Sequence, residues 1–376
     1  MVEPTIRLVL MGTGPFAVPS FRQIHRTGYT ILGVVTKPPK GKPSRDKENL
    51  ESPVMLWAQD AGLPISTPDS INSPDSIAWL TSLQPDLLVV CDYGQILSNE
   101  ALGTARLGGI NLHGSLLPRH RGAAPVQWSI LAGDELAGVS VIHMTPKLDA
   151  GPILEQVSTT IRPEENAEQL EVRLSQLGVE PTLKAIATLA SLENDSIDNP
   201  TSTTIQQSRE LVTKAPRLSK GDGQFDPCYP LELIDRQLRG LQPWPGLFGN
   251  LILSNGKMIR TILYRARPVP LSEEMLEQLS ASPGQVLFGE QALRAGLPID
   301  SPKQWIGIVV QDGVLVIELL QLAGKQPMQG VDFVSGYGRQ TGLRFEQPTD
   351  PHPLLDRKST RLNSSHEWIS RMPSSA

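Results

Sequence analysis

Four short, continuously apolar runs constrain the fold of this 376-residue chain more than any other feature. They cover residues 6–11, 31–35, 86–91 and 109–112, and segments with helical character lie between them. Strands buried on both faces of a parallel sheet have this continuous apolar character, because helices cover both faces of the sheet. The alternation of strands and helices therefore predicts a Rossmann-like, doubly wound α/β domain.

The helices of this domain have recognisable start signals. Ser52 followed by Pro53 predicts an N-cap and a first helical position, in front of a helix over residues 54–61. Ligands of doubly wound domains bind outside the carboxyl ends of the strands, so residues that follow the strands are the first candidates for a site. The other elements predicted here are helices over residues 16–27 and 123–132, two helices within residues 164–192, and strands over residues 139–144 and 153–161.

A different pattern begins after a polar stretch, rich in Asn, Asp, Ser, Thr and Pro, that starts at residue 193. This composition predicts a linker between two domains. Beyond it, Asp312-Gly313 predicts a tight hairpin turn between two apolar runs, and short strands joined by turns indicate a small OB-like β-barrel. We therefore assign residues 1–192 to the first domain, 193–213 to the linker, 214–346 to the barrel domain, and 347–376 to a disordered or non-native tail.

Composition restricts the classes of protein to which the chain can belong. No run approaches the roughly 18 apolar residues of a membrane span, and no secretory signal precedes the first strand, so we expect a cytoplasmic protein without membrane contact. Cys91 and Cys228 are the two cysteines and lie far apart, so neither a disulfide framework nor a metal site is expected. The formal net charge of −5 restricts any RNA contact to local basic patches.

Polar side chains of types that commonly take part in catalysis lie at the predicted end of the fourth strand. Asn111 and His113 are separated by one residue, and such side chains point to the same side of an extended strand. Asp149 lies on a loop after a later strand, where it can orient His113. An amide donor and an imidazole can stabilise an oxyanion, and a carboxylate-linked histidine can move protons. Because the chain has no GxSxG motif, these groups fit direct acyl transfer through a tetrahedral intermediate.

Each of these three residues also has a structural alternative. Histidines at strand ends are more commonly structural than catalytic. Asn111 can cap a turn, and so can Asp149, which precedes Ala150-Gly151. The residue types alone leave this choice open.

A longer motif favours the catalytic interpretation of these residues over the structural one. The run Asn-Leu-His-Gly-Ser-Leu-Leu-Pro-Arg-His-Arg-Gly-Ala-Ala-Pro, from Asn111 to Pro125, resembles the central motif of the formyltetrahydrofolate-dependent formyltransferases. One departure is Gly14-Pro15, which stands where this family usually has Pro-Glu. Shorter matches extend the resemblance over roughly residues 5–345, at Gly12-Thr13, Phe16-Ala17-Val18-Pro19, Tyr93-Gly94, Leu148-Asp149-Ala150-Gly151, Leu218-Ser219-Lys220, Pro243-Trp244-Pro245 and residues 319–328.

The resemblance implies roles for particular residues. It implies that Asn111, His113 and Asp149 are catalytic and that no metal is needed. It also implies that 10-formyltetrahydrofolate donates the formyl group to an amine. The segment that it implies for folate contact consists of Ser115, Leu116, Leu117 and Pro118.

The acceptor of the formyl group is less constrained than the donor. The resemblance implies methionyl initiator tRNA as the acceptor, and we expect a monomer to bind it. A basic loop over residues 36–47 and the barrel-like domain favour tRNA over a sugar nucleotide. Phosphate contacts need such positive charge. An amino-sugar nucleotide, or water in a hydrolase, is the first alternative. An RNA-binding relative without catalysis is the second, and the intact Asn/His/Asp set argues against it. The basic residues of the loop are Lys37, Lys40, Lys42, Arg45 and Lys47.

Overall fold

The computed structural model describes residues 6–39, 51–191, 204–294, 296–297, 299 and 301–348. Residues 40–47 of the basic loop, 193–203 of the predicted linker and 349–376 of the predicted tail lie outside the described residues. The chain divides into two compact units. Unit 1 comprises Met1–Val126, Glu135–Ile161 and Gln169–Arg217, and unit 2 comprises Gln127–Asp134, Arg162–Glu168 and Leu218–Ala376.

Unit 1 is built on a seven-stranded sheet. Its strands are β1 (Arg7–Gly12), β2 (Thr30–Val35), β3 (Ile65–Ser66), β4 (Leu87–Cys91), β5 (Gly109–His113), β7 (Leu136–His143) and β8 (Ile153–Thr160), and β6 (Arg121–Gly122) pairs with β9 (Lys214–Ala215) outside the sheet. The strand order is β3-β2-β1-β4-β5-β7-β8. The pairs from β3 to β5 are parallel, whereas β7 and β8 are antiparallel. The strand order runs outward in both directions from β1, which confirms the predicted doubly wound arrangement.

The helices of the first half of the chain confirm the predicted start signal. Ser52 caps its helix, because its Oγ accepts a hydrogen bond of 3.1 Å from the backbone N–H of Met55. The same Ser-Pro pair at Ser73 starts a helix that the sequence analysis did not identify. The helices are α1 (Val18–Arg26), α2 (Pro53–Asp60), α3 (Pro74–Leu83), α4 (Asn99–Leu102), α5 (Pro125–Leu131), α6 (Ala167–Leu177) and α7 (Val179–Ser191).

Burial explains why the central strands have continuous apolar sequences. Every residue of β4 is buried, because the strand lies inside the sheet with helices on both faces. The edge strand β8 instead has mostly half-buried and exposed residues. The apolar runs therefore mark the strands whose carboxyl ends lie at the middle of the sheet, where a site is expected.

Unit 2 contains the predicted barrel-like sheet. Its strands are β10 (Leu247–Ile252), β11 (Met258–Pro270), β12 (Val286–Phe288), β13 (Ile306–Val310), β14 (Gly313–Leu322), β15 (Met328–Gln329) and β16 (Arg344–Phe345), with helices α8 (Leu231–Gly240), α9 (Glu273–Leu279), α10 (Gly289–Arg294) and α11 (Gly330–Tyr337). The strand order is β12-β13-β14-β11-β10-β16, and all pairs are antiparallel.

The two ends of this second sheet come together. The Val286 N–H donates to the Leu343 carbonyl at 2.9 Å, and the Phe345 N–H donates to the Gly284 carbonyl at 2.7 Å. These bonds nearly close the antiparallel sheet into a barrel. The hairpin predicted at Asp312-Gly313 is confirmed as the β13–β14 connection. None of the helices in the described part of the chain combines the length and apolar composition that a bilayer span requires.

Candidate active site

Asn111, His113 and Asp149 converge at the carboxyl end of β5. Asn111 Nδ2 lies 3.5 Å from Asp149 Oδ1, and His113 Nδ1 lies 3.8 Å from Asp149 Oδ2. The side chains of His113 and Asp149 are 6% and 8% exposed, so solvent screens their interaction only weakly. The folded chain therefore brings together three polar groups, of which the two most distant in sequence, Asn111 and Asp149, are 38 residues apart.

A backbone carbonyl determines how the His113 ring can act. His113 Nε2 lies 2.9 Å from the carbonyl oxygen of His120. Because a carbonyl oxygen only accepts hydrogen bonds, Nε2 must carry the hydrogen in this orientation. Nδ1 then has the lone pair in the neutral ring, and it faces Asp149. His113 can therefore accept a proton at Nδ1, and the resulting imidazolium would be stabilised by the nearby carboxylate.

Asp149 is held on both its side chain and its backbone. Its Oδ2 accepts a hydrogen bond of 2.9 Å from the Gly122 N–H. Its backbone has a φ of +50°, in the left-handed region that aspartate tolerates better than most residues. The Gln207 side chain donates to the backbone carbonyl of Asp149 at 2.9 Å. The position of the carboxylate therefore depends on Gly122, inside the Asn111–Pro125 motif, and on Gln207, far outside it.

The sequence analysis did not identify Gln207 or Thr213 as part of this site. Thr213 Oγ1 accepts a hydrogen bond of 2.8 Å from the N–H of His120. Both residues lie in the stretch that we predicted to be a linker on the basis of its polar composition. Composition does not distinguish a polar segment that hydrogen-bonds to a site from one that remains in solvent, so no sequence signal marked them.

The segment expected to contact folate is buried and already hydrogen-bonded. Ser115, Leu116 and Leu117 are 0%, 4% and 2% exposed. Ser140 Oγ donates to the Ser115 carbonyl at 2.7 Å and accepts from the Leu117 N–H at 3.0 Å, while Gln156 donates to the Leu117 carbonyl at 3.0 Å. These contacts hold the segment against β7 and β8, so it can act as a fixed wall beside the end of β5.

Two further groups, Arg121 and Cys91, have pKa values that burial shifts. Burial lowers the pKa of Arg121, and the Asp149 carboxylate acts in the opposite direction. Burial raises the pKa of the Cys91 thiol well above its ordinary value, so Cys91 is a poor nucleophile. Throughout the described ranges, no group of three or more His, Cys, Asp or Glu side chains is arranged to hold a metal ion.

The departure at Gly14 has a structural counterpart in Asp92. The Gly14 N–H hydrogen-bonds to the Asp92 carboxylate, which a proline at position 14 could not do. Asp92 is an exposed residue overall, but its carboxyl group lies against Gly14, where a Cβ would overlap with Asp92 Oδ2. Desolvation raises the pKa of Asp92 to about 6, while Lys37 and the Gly14 N–H act in the opposite direction. Gly14 and Asp92 thus connect the carboxyl ends of β1 and β4.

Gly14→Ala should destabilise the protein by about 1 kcal/mol, because the new Cβ would overlap with Asp92 Oδ2 and break this hydrogen bond. The Gly14 backbone has φ −81° and ψ 175°, which alanine adopts without strain. In an Asp92→Ala background, the same change should be neutral or slightly stabilising, because alanine restricts the unfolded chain. Urea midpoints of the four proteins measure this cycle. Equal effects of Gly14→Ala in both backgrounds would contradict the contact.

Known proteins resemble the chain in both sequence and fold. The family Formyl transferase matches residues 6–186, and the family Formyl transferase, C-terminal domain, matches residues 217–338. A protein of Rhodopirellula baltica named Methionyl-tRNA formyltransferase is 45% identical over 92% of this chain and 98% of its own length. The chain belongs to the formyl transferase family. Another relative of that name, from Akkermansia muciniphila, is 36% identical over 91% of this chain and 100% of its own length.

Solved structures support the fold of this formyl transferase. The N-formyltransferase from Helicobacter canadensis, in complex with folinic acid and dTDP-3-aminofucose, has a TM-score of 0.54 and 15% identity, and it covers 83% of this chain and 98% of its own. HypX from Aquifex aeolicus, in complex with tetrahydrofolic acid, has a TM-score of 0.54 and 13% identity over 89% of this chain and 48% of its own. At such identities the likeness concerns the fold alone.

Proposed function

We propose that this formyl transferase transfers the formyl group of 10-formyltetrahydrofolate to the amine of methionyl initiator tRNA, acting as a cytoplasmic monomer. The observation that carries the proposal is the 45% identity with a methionyl-tRNA formyltransferase over 98% of that relative's length. The match includes both the catalytic unit and the barrel-like unit. The cluster of Asn111, His113 and Asp149 supplies groups that the reaction requires.

The proposed reaction proceeds through a tetrahedral intermediate. The amine nitrogen attacks the formyl carbon and forms the new C–N bond, and the carbonyl oxygen becomes an oxyanion. The bond between the formyl carbon and the folate nitrogen then breaks, and tetrahydrofolate leaves after that nitrogen has gained a proton. The attacking amine loses a proton in the same sequence, so the protein must stabilise one transient charge and move protons.

Asn111 is suited to stabilise the oxyanion. Its amide has two N–H groups, of which one is directed toward Asp149 Oδ1. The other has no protein acceptor in the described part of the chain. An amide donor held in place in this way contributes to stabilisation of a developing oxyanion without reorganising during the reaction. The side chain of Asn111 is half-buried, so a substrate can reach it.

His113 and Asp149 are suited to the proton movement. His113 presents Nδ1 toward Asp149, because Nε2 is bound to the His120 carbonyl. In the proposed mechanism, Nδ1 receives a proton from the amine and the imidazolium stabilises the oxyanion or protonates the leaving nitrogen. Asp149 compensates the positive charge of the ring during this interval. In this mechanism the proton passes through His113 alone, and Asp149 is the carboxylate that faces the ring during the transfer.

Substrate binding is assigned to two further regions. We propose that the wall formed by residues 115–118 borders the folate, on the basis of the family resemblance. We propose that the basic residues of the loop, including Lys37, contact phosphates of the tRNA, because the overall charge of the protein is negative.

A formylation assay with three acceptor conditions tests the proposal. The protein is supplied with 10-formyltetrahydrofolate and methionylated initiator tRNA, methionylated elongator tRNA or no acceptor, and formyl-methionyl product and tetrahydrofolate are measured. We expect product with initiator tRNA at a rate well above that with elongator tRNA. An amino-sugar nucleotide is a fourth arm. Turnover only in that arm, or tetrahydrofolate release without any acceptor, would replace the proposed acceptor by a sugar or by water.

A further inference from the structure

We propose that the segment from Gln207 to Ala215 is a structural part of the catalytic centre, and that Gln207 is a positioning residue that holds Asp149 for formyl transfer. The inference rests on the proposed function for the reaction that it affects. It goes beyond that function because it assigns a catalytic consequence to a stretch whose composition indicates a linker.

Gln207 connects the Asp149 loop to Arg121 through four hydrogen bonds. Its Nε2 donates to the carbonyls of Asp149 and Gly151 at 2.9 and 2.7 Å. Its Oε1 accepts from Nε and Nη2 of Arg121 at 3.0 and 2.6 Å. Both donor hydrogens of the amide are therefore used on the loop, and its oxygen is used on a charged group. Hydrogen bonds to charged groups are the stronger kind, so Arg121 fixes the orientation of the amide.

The end of the same segment supports the opposite side of the site. The His120 N–H donates to Thr213 Oγ1 at 2.8 Å, and the Arg121 N–H donates to the Thr213 carbonyl at 2.9 Å. Gly122 pairs with Ala215 in the short β6–β9 sheet. Residues 120–122 are therefore held against residues 213–215 by backbone and side-chain bonds.

These supports determine the geometry of His113 and of the Asp149 carboxylate that faces it. Gln207 fixes the backbone of Asp149, and Gly122 fixes its carboxylate. His120, which is held by Thr213, supplies the carbonyl that orients the ring of His113. A displacement of the segment would therefore move Asp149 and His113 relative to each other. Because misplacement of reacting groups by about 1 Å can cost 10²-fold in rate, the segment affects kcat rather than only stability.

Two substitutions at Gln207 separate its two connections. Gln207→Ala removes both, and we expect kcat to fall by about tenfold or more, with little change in KM for tRNA. Gln207→Glu keeps an acceptor for Arg121 but loses the donors to the carbonyls of Asp149 and Gly151. We expect it to be as slow as the alanine variant. Full kcat of Gln207→Glu would overturn the proposal, because the connection to Arg121 alone would then suffice.

A double-mutant cycle distinguishes positioning from general destabilisation. If Gln207 acts through Asp149, Gln207→Ala should change kcat less than about twofold in an Asp149→Asn background. Multiplicative effects of the two substitutions would overturn the proposal. Arg173→Ala is the matched control, because Arg173 donates to Thr159 and the Thr160 carbonyl at the far end of β8. It should reduce the urea midpoint without changing kcat.

Amide hydrogen exchange tests the inference independently of the acceptor. In Gln207→Ala, the amides of residues 147–151 should exchange faster than in the wild-type protein, while those of the central strand β4 should not. Unchanged exchange in this loop would overturn the inference. If the wild-type protein does not formylate methionyl initiator tRNA, the proposed function fails, whereas the exchange result still decides whether Gln207 holds the loop.

Discussion

His113→Ala should lower kcat for formyl transfer by about 10²-fold or more, because it removes the group that accepts the proton and stabilises the oxyanion. The loss should appear in kcat and in kcat/KM alike, since the ring acts in the transition state rather than in binding. Steady-state kinetics with saturating 10-formyltetrahydrofolate and varied methionyl initiator tRNA measure both quantities. An unchanged kcat would remove His113 from the mechanism.

His143 offers a matched control for this substitution. It also lies at the end of a strand, and its Nε2 bonds to the backbone carbonyl of Leu107 at 3.0 Å. It differs from His113 because no carboxylate contacts its ring among the described residues. His143→Ala should therefore lose a structural hydrogen bond and keep kcat within about twofold, since such a bond contributes roughly 1 kcal/mol to stability alone. A similar loss of kcat in both variants would indicate that the effect on His113 is structural.

Gly122→Ala should have the largest combined effect on stability and rate. The residue has a φ of +136°, and a Cβ there would lie 2.8 Å from the carbonyl carbon of Ala215 and closer still to its oxygen. Neither backbone can move alone, because β6 and β9 are paired. We expect a loss of roughly 2–4 kcal/mol in the free energy of unfolding. We also expect kcat to fall by about tenfold or more, because the Gly122 N–H no longer anchors Asp149.

Gly28→Ala is a control for Gly122→Ala, because it introduces the same kind of backbone strain without a steric clash. Gly28 has a φ of +88°, but nothing lies within 4 Å of the Cβ position there. This variant should lose roughly 1 kcal/mol from backbone strain and keep kcat unchanged. Urea unfolding and single-turnover rates, measured at a temperature where both variants are folded, supply the comparison. Equal losses of stability in the two variants would show that the contact with Ala215 does not matter.

Much of the first domain could be predicted from local sequence because burial imposes a simple pattern on it. The run that became β4 is apolar throughout, as a strand between two helical layers must be. The cap at Ser52 depends on one side chain and the helix that follows it, so it too could be predicted from the sequence. The equivalent cap at Ser73 was missed, although Ser73-Pro74 repeats the Ser52-Pro53 pattern and the Ser73 side chain accepts a hydrogen bond from the Ser76 N–H.

The candidate site was predictable only in its motif residues. Asn111 and His113 are neighbours on one strand, so their convergence follows from strand geometry. The contributions of Gln207 and Thr213 depend on pairings between residues 58 and 93 positions apart, such as Gln207 with Asp149 and Thr213 with His120. Local patterns contain no information on such pairings. The orientation of the His113 ring could not be predicted from the sequence either, since it depends on the backbone carbonyl of His120.

The pairing of β6 with β9 has a practical consequence for dividing the protein. A fragment that ended at residue 192, where the polar composition begins, would lack Gln207, Thr213 and Ala215. It would retain the whole catalytic motif and lose the strand that holds residues 121 and 122 in place. A fragment that is to keep the supports of the site must therefore extend at least to Arg217, the last residue of unit 1, so that it includes β9.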